Sequence, residues 1–421
     1  MTATTATAAS EPFDFDHLVQ DERVHGSVYS NEALFELEMQ KIYYGGWVFV
    51  GHDSEVPKIG DYQRRTLGRE EVIFLRARDN GIRVMSNRCS HRGNLLAIEK
   101  TGNTRYFTCQ YHGWVFDLDG NLKDVPFPGG FTKDHDCMRV KQLKTEVYRG
   151  FVFASFDPNV GPLDQHLGRG KELIDRACDM SPVGRVRLSA GWVKHRFATN
   201  WKMLPEGDTD GYHVQYTHSS FAKVTRSHYD SGLLEQEEDL TSQTIDWGNG
   251  HTELYLKPQY KQYMEWLGVK PDRFPDYIAK MKEVYGEEKG HYLLMAGAPH
   301  AVIFPNLFIG EMNIVFFQPV NAHECIQWHT ALLLEGVSDQ LNARILRNSE
   351  AAMGPAGLLL ADDGAIAERT QHSLRDRADW CDISRGLDRQ ETGPDGKIHG
   401  HVSDECTNRA FWREYKKVMT A

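Results

Sequence analysis

The chain has 421 residues, of which 40% are hydrophobic and 25% are charged, and its formal net charge is −11. This length allows two or three domains with a large buried core, and the composition is that of an ordinary globular protein. The acidic balance argues against a nucleic-acid partner, because phosphate binding requires clustered lysine and arginine, and the sequence has no long basic run.

The N-terminus begins with MTATTATAAS, which is small and polar. It lacks the basic and apolar regions of a secretory signal, so we interpret residues 1–12 as a disordered tail. No apolar run reaches the roughly 18 residues that a membrane helix needs, which argues against a membrane partner and predicts a cytoplasmic protein. The seven cysteines are odd in number and scattered, which argues against a disulfide framework.

The first predicted element is a helix over residues 30–44 (SNEALFELEMQKIYY), where apolar residues recur at helical spacing behind a Ser-Asn start. From Trp47 the sequence changes to short β-prone runs separated by turn signals such as Asp-Asn-Gly. These runs are WVFVGH, EVIFLRAR, IRVMSN, RYFTC, GWVFDLDGNL and GFVFASFD. They predict a small all-β domain over residues 45–158.

Beyond residue 158, strand-like runs alternate with helical ones. The predicted strands are VRLSAGWVKHRF, HAVIFPNLFIG, NIVFFQPV and CIQWHTALLL. Helices are predicted over residues 258–286, 338–352 and 358–373. The predicted fold class is therefore α+β, with the small β domain inserted near the start of a larger domain formed by residues 13–44 and 159–421.

Two loops of the β domain carry matched pairs of metal-ligating residues. RCSHRG contains Cys89 and His91, and after seventeen residues CQYHGW contains Cys109 and His112. Such a set can bind structural zinc or a Rieske [2Fe-2S] cluster. Zinc fingers usually pair like ligands, whereas each loop here offers one cysteine and one histidine. A cluster with one all-cysteine iron and one all-histidine iron requires that mixture, so the pattern favours the cluster.

RCSHRG and CQYHGWVFDLDGNL resemble the Rieske domain of the large (alpha) subunit of Rieske non-haem iron aromatic-ring-hydroxylating oxygenases. The resemblance implies that Cys89 and Cys109 ligate the outer iron through sulfur. It implies that His91 and His112 ligate the inner iron through a ring nitrogen. It also places Trp114 beside the cluster.

A second candidate metal site lies in NWKMLPEGDTDGYHVQYTH, which contains Asp210, His213 and His218. Two histidines and a carboxylate form the facial triad of non-haem iron(II) oxygenases. Residues five apart lie about 140° apart around an ideal helix, so we predict a π-bulge or a helix end between the two histidines. Asp210 and His213 are three apart and are expected to share one helix face.

This stretch closely matches the D-x-Y-H-x4-H motif of the same family, which takes its third iron ligand from a late helix after a Gly-Pro-Ala-Gly-like turn. The corresponding segment here is GPAGLLLADDGAIAERTQ, with Asp362 and Asp363 side by side. Adjacent helix residues diverge by about 100°, so only one should face the metal. The family spacing to a following glutamate selects Asp363 before Glu368 and leaves Asp362 as a solvated or supporting acid.

By the same resemblance, Asp210 is an electron bridge that links His213 to His112 of a neighbouring subunit. Head-to-tail contacts of this kind close into rings, which predicts a homotrimer, possibly with a small beta subunit as α3β3. The sequence departs from the family where Glu-Asn is usual, since Pro205 and Glu206 stand there. We interpret Glu206 as a helix cap rather than as an extra carboxylate near the iron.

The resemblance implies the terminal oxygenase component of a multicomponent dioxygenase. Electrons from NAD(P)H, delivered by a reductase or ferredoxin, and O2 would be used to hydroxylate an aromatic compound, with an aromatic acid preferred. The larger domain is expected to be a helix-grip (SRPBCC-like) fold, a curved antiparallel sheet around a long helix. Its apolar pocket is expected to be lined by residues 207–317 and by the surroundings of Leu358. A Rieske monooxygenase or demethylase, an electron-transfer module and a zinc-stapled binding protein remain as alternatives.

Overall fold

The computed structural model describes residues 13–132, 138–221, 223 and 240–421, so the predicted tail over residues 1–12 lies outside the described residues. Within the described chain, none of the helices combines the length and apolar character needed to cross a bilayer, and the six described cysteines are free. Helices bounded within these residues are α1 (Phe15–Leu18), α2 (Glu32–Glu38), α3 (Leu163–Leu167), α4 (Lys171–Asp179), α5 (Met203–Asp208), α6 (Val214–Thr217), α7 (Pro275–Ala296), α8 (Asp339–Met353), α9 (Leu360–Leu374) and α10 (Cys406–Thr420).

The strands fall into two groups, which are separated at residue 158, where the predicted β domain ends. Up to that point they are β1 (Arg23–His25), β2 (Val48–His52), β3 (Asp61–Leu67), β4 (Glu70–Arg76), β5 (Ile82–Ser86), β6 (Thr101–Asn103), β7 (Tyr106–Thr108), β8 (Val115–Asp117), β9 (Leu122–Asp124), β10 (Lys144–Tyr148) and β11 (Phe151–Ser155). After it they are β12 (Val186–Arg187), β13 (Val193–Phe197), β14 (Gln243–Gly248), β15 (His251–Tyr255), β16 (His300–Ile303), β17 (Leu307–Gly310), β18 (Asn313–Asn321), β19 (Glu324–Ala331), β20 (Leu333–Leu334), β21 (Trp380–Asp382), β22 (Glu391–Thr392) and β23 (Ile398–His401).

The strands β2 to β11 form three small antiparallel sheets in the orders β10-β11-β2, β5-β4-β3-β6 and β7-β8-β9. Every predicted β-prone run contains a strand. The strands β3, β6 and β10 were not predicted, because their residues are mostly polar, with β3 and β10 largely partly buried and β6 exposed. The first and last strands of this unit, β2 and β11, pair with each other, so the chain enters and leaves the unit at one place.

The larger unit is built on a nine-stranded antiparallel sheet in the order β13-β19-β18-β17-β16-β15-β14-β23-β22. Successive residues of a strand face opposite sides, so both faces are apolar. Ala301 and Ile303 belong to a core shared with α4, α7 and α8. Val302 and Phe304 belong to a second core, shared with α10 and the N-terminal segment. The α+β fold with a small inserted β unit is confirmed.

The helix predictions fail in part where prolines and glycines interrupt a stretch with helical spacing of apolar residues. The predicted helix over residues 30–44 begins as α2, with the Asn31 side chain accepting the Leu34 N–H at 3.0 Å, and continues as a π-helical stretch, Met39–Tyr44. The helix predicted over residues 258–286 is wrong at both ends. Prolines and a left-handed glycine hold residues 257–273 in short 3-10 turns, and α7 follows them. The two later predicted helices correspond to α8 and α9.

A buried ion pair fixes the N-terminal segment to the larger unit. The Lys202 Nζ lies 2.6 Å from the Glu38 Oε1, and both side chains are fully buried. Trp201 donates from its indole N–H to Glu38 Oε2 at 2.9 Å, and Tyr415 donates its hydroxyl to Oε1 at 2.6 Å. These contacts join α2, the start of α5 and α10, and thereby set the position of α5 at the second candidate metal site.

Candidate metal centres

The two Cys/His loops of the β unit have the same backbone turn. In the first loop, the Cys89 N–H donates to Asn94 O at 2.8 Å and the Gly93 N–H donates to Cys89 O at 3.0 Å. In the second, the Cys109 N–H donates to Trp114 O at 2.8 Å and the Gly113 N–H donates to Cys109 O at 2.9 Å. Both glycines have positive φ, +79° and +72°, which favours glycine at this point of each turn.

The four predicted cluster ligands meet where these loops face each other. The rings of His91 and His112 lie 4.6 Å apart between centroids. Trp114 is buried and stacks on His91 at 4.6 Å, with an interplanar angle of 5°. Cys89 and Cys109 are buried in the core of the β unit, whereas the histidines lie at its edge. The predicted order of the two irons is therefore wrong, because the buried sulfur pair is the inner one and the imidazole pair at the edge is the outer one.

The sulfur atoms receive backbone N–H groups of their own loops. Burial raises the pKa of the Cys89 thiol above its usual value, while the backbone of His91 opposes the shift. For Cys109, burial also raises the pKa, but the backbone of Tyr111 and the Cys89 side chain outweigh it and the net shift is downward. Hydrogen-bond donors aimed at two adjacent sulfurs suit thiolates bound to one iron, so the donor set fits a Rieske cluster.

The second candidate site is formed by three separate pieces of chain. His213 precedes α6, a helix of four residues, and His218 follows it. The predicted helix end between the two histidines is therefore observed. Asp363 lies in the first turn of α9. The expectation that Asp210 and His213 share a helix face is wrong, because α5 ends at Asp208 and Asp210 lies in the connection to α6.

The ligand atoms of His213, His218 and Asp363 lie within 4.8 Å of one another. The two Nε2 atoms are 3.2 Å apart. The Asp363 Oδ1 is 2.9 Å from Nε2 of His218 and 3.4 Å from Nε2 of His213. Two imidazole nitrogens and a carboxylate oxygen that converge in this way suit one divalent cation, so the residues fit a mononuclear iron.

The outer nitrogens of the two histidines each face a carboxylate. The Asp210 Oδ2 is 3.4 Å from Nδ1 of His213, and the Asp362 Oδ2 is 3.7 Å from Nδ1 of His218. Asp362 therefore lies behind a histidine rather than beside Asp363 at the centre. Carboxylates in such positions orient metal-binding imidazoles and raise their basicity.

The charges of the site are strongly coupled. Burial lowers the pKa of His213, but Asp210 and Asp363 outweigh it and raise the pKa to about 10. Burial raises the pKa of Asp363, but hydrogen bonds from His213 and His218 bring it below its usual value. A site that stabilises positive charge between its imidazoles has the electrostatic character that a cation requires.

A cavity of about 240 Å³ adjoins His213 and Asp363. Its apolar wall comes from the start of α5 and from α9, which includes Leu360 and Ile366 near the predicted Leu358 region. The prediction that residues 207–317 supply an apolar lining fails for the described part of that range, whose lining residues are Gly207, Asp208, Asp210, His213 and Thr217, while residues 222 and 224–239 lie outside the described residues.

Glu206 and Asp208 place two further carboxyl groups at this cavity. The Tyr29 hydroxyl contacts both Glu206 oxygens, at 2.8 and 3.1 Å, and burial raises the Glu206 pKa to about 8. Glu206 is therefore not the predicted helix cap. Burial, followed by the charge of Asp363, also raises the pKa of Asp208. Sequence reasoning missed Tyr29 and Asp208, since nothing in the local pattern connects them to the site.

Comparisons with known proteins agree with this geometry. The sequence profile of the Rieske [2Fe-2S] domain matches residues 46–144, and that of the ring hydroxylating alpha subunit (catalytic domain) matches residues 185–421. The chain is 28% identical to the 2-halobenzoate 1,2-dioxygenase large subunit of Burkholderia cepacia, over 90% of this chain and 84% of that protein. It is also 28% identical to the anthranilate 1,2-dioxygenase large subunit of Acinetobacter baylyi, over 88% and 82%.

Among solved structures, naphthalene 1,2-dioxygenase with indole in the active site superposes with a TM-score of 0.85 and 24% sequence identity. That superposition covers 97% of this chain and 95% of the other, and it supports the fold assignment.

The fold and the two centres define a Rieske non-haem iron oxygenase, whose cofactors are a [2Fe-2S] cluster and a mononuclear iron. The chain belongs to the ring-hydroxylating alpha-subunit family, the oxygenase large subunits that use O2 and electrons from partner proteins to hydroxylate aromatic compounds. The interpretations as a zinc-stapled binding protein and as a bare electron carrier are thereby overturned.

Proposed function

We propose that Cys89, His91, Cys109 and His112 hold the Rieske cluster and that His213, His218 and Asp363 hold the mononuclear iron. The observation that carries the second assignment is the convergence of both Nε2 atoms on Asp363 Oδ1, while each Nδ1 faces a different carboxylate. The first assignment rests on the matched turns. With these assignments, residues 45–158 form an electron-accepting unit, and residues 13–44 and 159–421 form a catalytic unit.

We propose further that Asp210 connects His213 to His112 of a neighbouring subunit in a homotrimer, with or without a beta subunit. The Asp210 side chain is 22% exposed, so it can reach beyond its own chain. Aromatic side chains are exposed on both sides of the proposed contact, Tyr212 and Tyr216 near Asp210 and Tyr111 and Phe127 near His112. Exposed apolar surface of this kind supports a protein interface.

The substrate we propose is an aromatic acid, and the electrons come from NAD(P)H through a reductase or ferredoxin in the cytoplasm. Support for the acid comes from relatives named for 2-halobenzoate, anthranilate and toluate. The cavity beside the ligands has room for a ring of this size, since its volume is about 240 Å³.

The residues of the chain divide the work of the reaction. When bound, the iron supplies open coordination positions for dioxygen and the cluster supplies single electrons. Asp363 and the two histidines hold one face of the site and leave the cavity side free. Leu360 and Ile366 give the cavity an apolar wall against which an aromatic ring can pack. Glu206, whose pKa is raised to about 8, carries a proton at neutral pH and offers it at the cavity wall.

Anaerobic EPR of the dithionite-reduced protein, with iron and sulfide counted per chain, tests the two centres. We expect a rhombic Rieske signal with about three irons and two sulfides per chain. Incubation with benzoate, 2-aminobenzoate and naphthalene, a reductase and O2, followed by product analysis, tests the substrate class. A colourless protein without sulfide would overturn the cluster assignment, and turnover of naphthalene alone would overturn the proposed aromatic acid.

A further inference from the structure

An open cleft lies directly beside two of the proposed cluster ligands. Its volume is about 890 Å³, and Cys89 and His91 form part of its wall. The rest comes from the loop after β5, from residues 139–141 and from the π-helical stretch that follows α2. The cleft is therefore a surface from which a second protein can approach the cluster closely without entering the cavity beside the mononuclear site.

The cleft is basic in a protein that is acidic overall. Arg88, Arg92, Arg139 and Lys141 all line it, and all four side chains are exposed. None of them forms an ion pair with another residue of the described chain, and Glu70 is the single acidic residue among the described lining residues. With 59 acidic and 48 basic residues in the chain, this concentration of positive charge runs against the overall balance.

A second, aromatic surface lies beside His112 and adjoins the cleft, since the Arg92 guanidinium lies 5.2 Å from the Tyr111 ring. Tyr111 stacks on His112 at 3.8 Å and is 54% exposed, while Phe127 is 92% and Phe131 40% exposed. That rim is aromatic and suits a contact between subunits. One cluster therefore has two neighbouring surfaces of different chemistry, one aromatic and one lined by four basic side chains.

We propose that the basic cleft is the docking surface for the electron donor, and that this donor is an electron-transfer protein whose redox centre is surrounded by acidic side chains. The proposal rests on the proposed function, because it takes Cys89 and His91 as cluster ligands. In each docking event one electron passes from the donor, which is oxidised, to the cluster, which is reduced, and no covalent bond changes.

Electrostatics explains why charge is concentrated at this place. The chain as a whole repels an acidic partner, since its formal net charge is −11. A local basic cleft reverses this repulsion at the cluster, guides the partner's acidic side to it, and disfavours contact elsewhere. The basic side chains of the cleft raise the rate of association with an acidic donor at low salt. At high salt, screening of these charges removes the effect.

The double variant Arg139→Glu/Lys141→Glu tests the proposal in the loaded oxygenase. The probe is a pre-reduced plant-type [2Fe-2S] ferredoxin of net negative charge, whose potential lies below that of a Rieske centre. Stopped-flow absorbance follows cluster reduction at about 20 mM and about 500 mM salt. We expect wild-type reduction to slow with salt, and the variant at low salt to be slower by about tenfold or more.

The matched control is Lys270→Glu/Lys280→Glu, which changes net charge by the same amount on exposed residues of the larger unit. We expect it to stay within about twofold of wild type. Arg88→Gln provides an independent loss of cleft charge, with an intermediate effect expected. Equal rates for the cleft and control variants would overturn the proposal. A changed sedimentation coefficient of the cleft variant would overturn it too, because the cleft would then be a subunit contact.

Reduction by dithionite, read as the EPR spectrum, separates this proposal from the function on which it rests. Wild type and variants should give the same signal, which shows that the cluster is intact and only delivery has changed. If wild type gives no Rieske signal, the cluster assignment fails. If every protein gives the signal and reduction is independent of cleft charge, only the docking surface fails.

Discussion

The two metal centres are built in different ways. In the β unit, one tight turn is used twice, and each copy carries its own cysteine, histidine and glycine within a few residues. In the catalytic unit, the proposed ligands come from the two ends of a four-residue helix and from α9, far along the chain. The first centre depends on local backbone geometry, whereas the second depends on the packing of α5, α6 and α9.

This difference has physical consequences. Backbone hydrogen bonds close each Cys/His turn, so the β unit can preserve its ligand geometry when distant contacts weaken. At the mononuclear site, backbone hydrogen bonds close the turn that carries His213 and His218, but Asp363 comes from α9, so the site also relies on outer carboxylates and on the buried contacts that hold α5. We therefore expect the catalytic site to be the more easily disturbed of the two.

The largest effect is expected for Asp363→Ala, with Asp362→Ala as its matched control. Asp363 faces both Nε2 atoms, so its loss should remove the mononuclear iron and lower product formation by more than about 100-fold. Iron per chain should fall by one while the Rieske EPR signal stays unchanged. Asp362→Ala should have a much smaller effect. Equal losses in the two variants would contradict the assignment of Asp363.

Asp210→Asn tests the proposed connection between the two centres. The amide keeps the size of the side chain but removes the charge that faces Nδ1 of His213. We expect turnover to fall by about 10- to 100-fold, while the iron count and the reduction of the cluster by dithionite stay normal. Steady-state product formation and EPR, measured on the same preparation, give the two values. Unchanged turnover would exclude an electron path through Asp210.

Glu38→Gln should lower the unfolding free energy of the catalytic unit more than that of the β unit. The change leaves the fully buried Lys202 without its carboxylate, and breaking such a pair typically costs about 3–5 kcal/mol of unfolding free energy. During urea titration, the mononuclear iron should be lost well before the Rieske absorbance in this variant. Glu283→Gln, which breaks the exposed pair with Lys280, is the control and should leave both transitions unchanged. Loss of the mononuclear iron and the Rieske cluster at the same urea concentration would contradict the expectation that the catalytic site is the more easily disturbed.

The smallest effect is expected for the loss of unfolding free energy at acidic pH, through the buried ring of His251. His251 is buried, its Nδ1 accepts the Phe304 N–H at 3.1 Å and its Nε2 contacts His166 O at 2.9 Å, which requires a neutral ring. Burial lowers its pKa from 6.5 to about 4. Below pH 6.5 the unfolded chain therefore binds a proton that the folded chain resists, so this residue contributes stability that is lost as pH falls toward 4.

The measurement is the unfolding free energy of the catalytic unit at about pH 7.5 and pH 5.5, compared in wild type and His251→Gln. The variant should lose less stability between these values, by about 1.4 kcal/mol. His372→Gln, at an exposed position, should behave like wild type. An unchanged pH dependence in His251→Gln would show that this ring does not contribute to the acid sensitivity.

The difference between a locally built centre and one built by tertiary packing explains which site residues could be predicted from the sequence. The Cys89 and Cys109 loops could be predicted because pattern and turn occupy the same few residues. His213 and His218 were found in the same way, and their separation correctly predicted an interrupted helix. Asp363 required the family spacing, since nothing local distinguishes it from Asp362.

Features of the site that depend on tertiary packing were not predictable. Tyr29 reaches Glu206 across most of the chain, and Asp208 is a buried acid only because the surrounding elements close over it. The helix over residues 258–286 failed for a related reason, since its apolar spacing continues through residues that the prolines keep in turns.

The pairing of β2 with β11 has a further consequence. Because the two ends of the β unit lie side by side and hydrogen bond to each other, the host chain needs only a small gap to receive it. Such a unit can be inserted at one point of a host chain, but β2 and β11 also pack into both cores of the larger unit, so the β unit cannot be removed without exposing them.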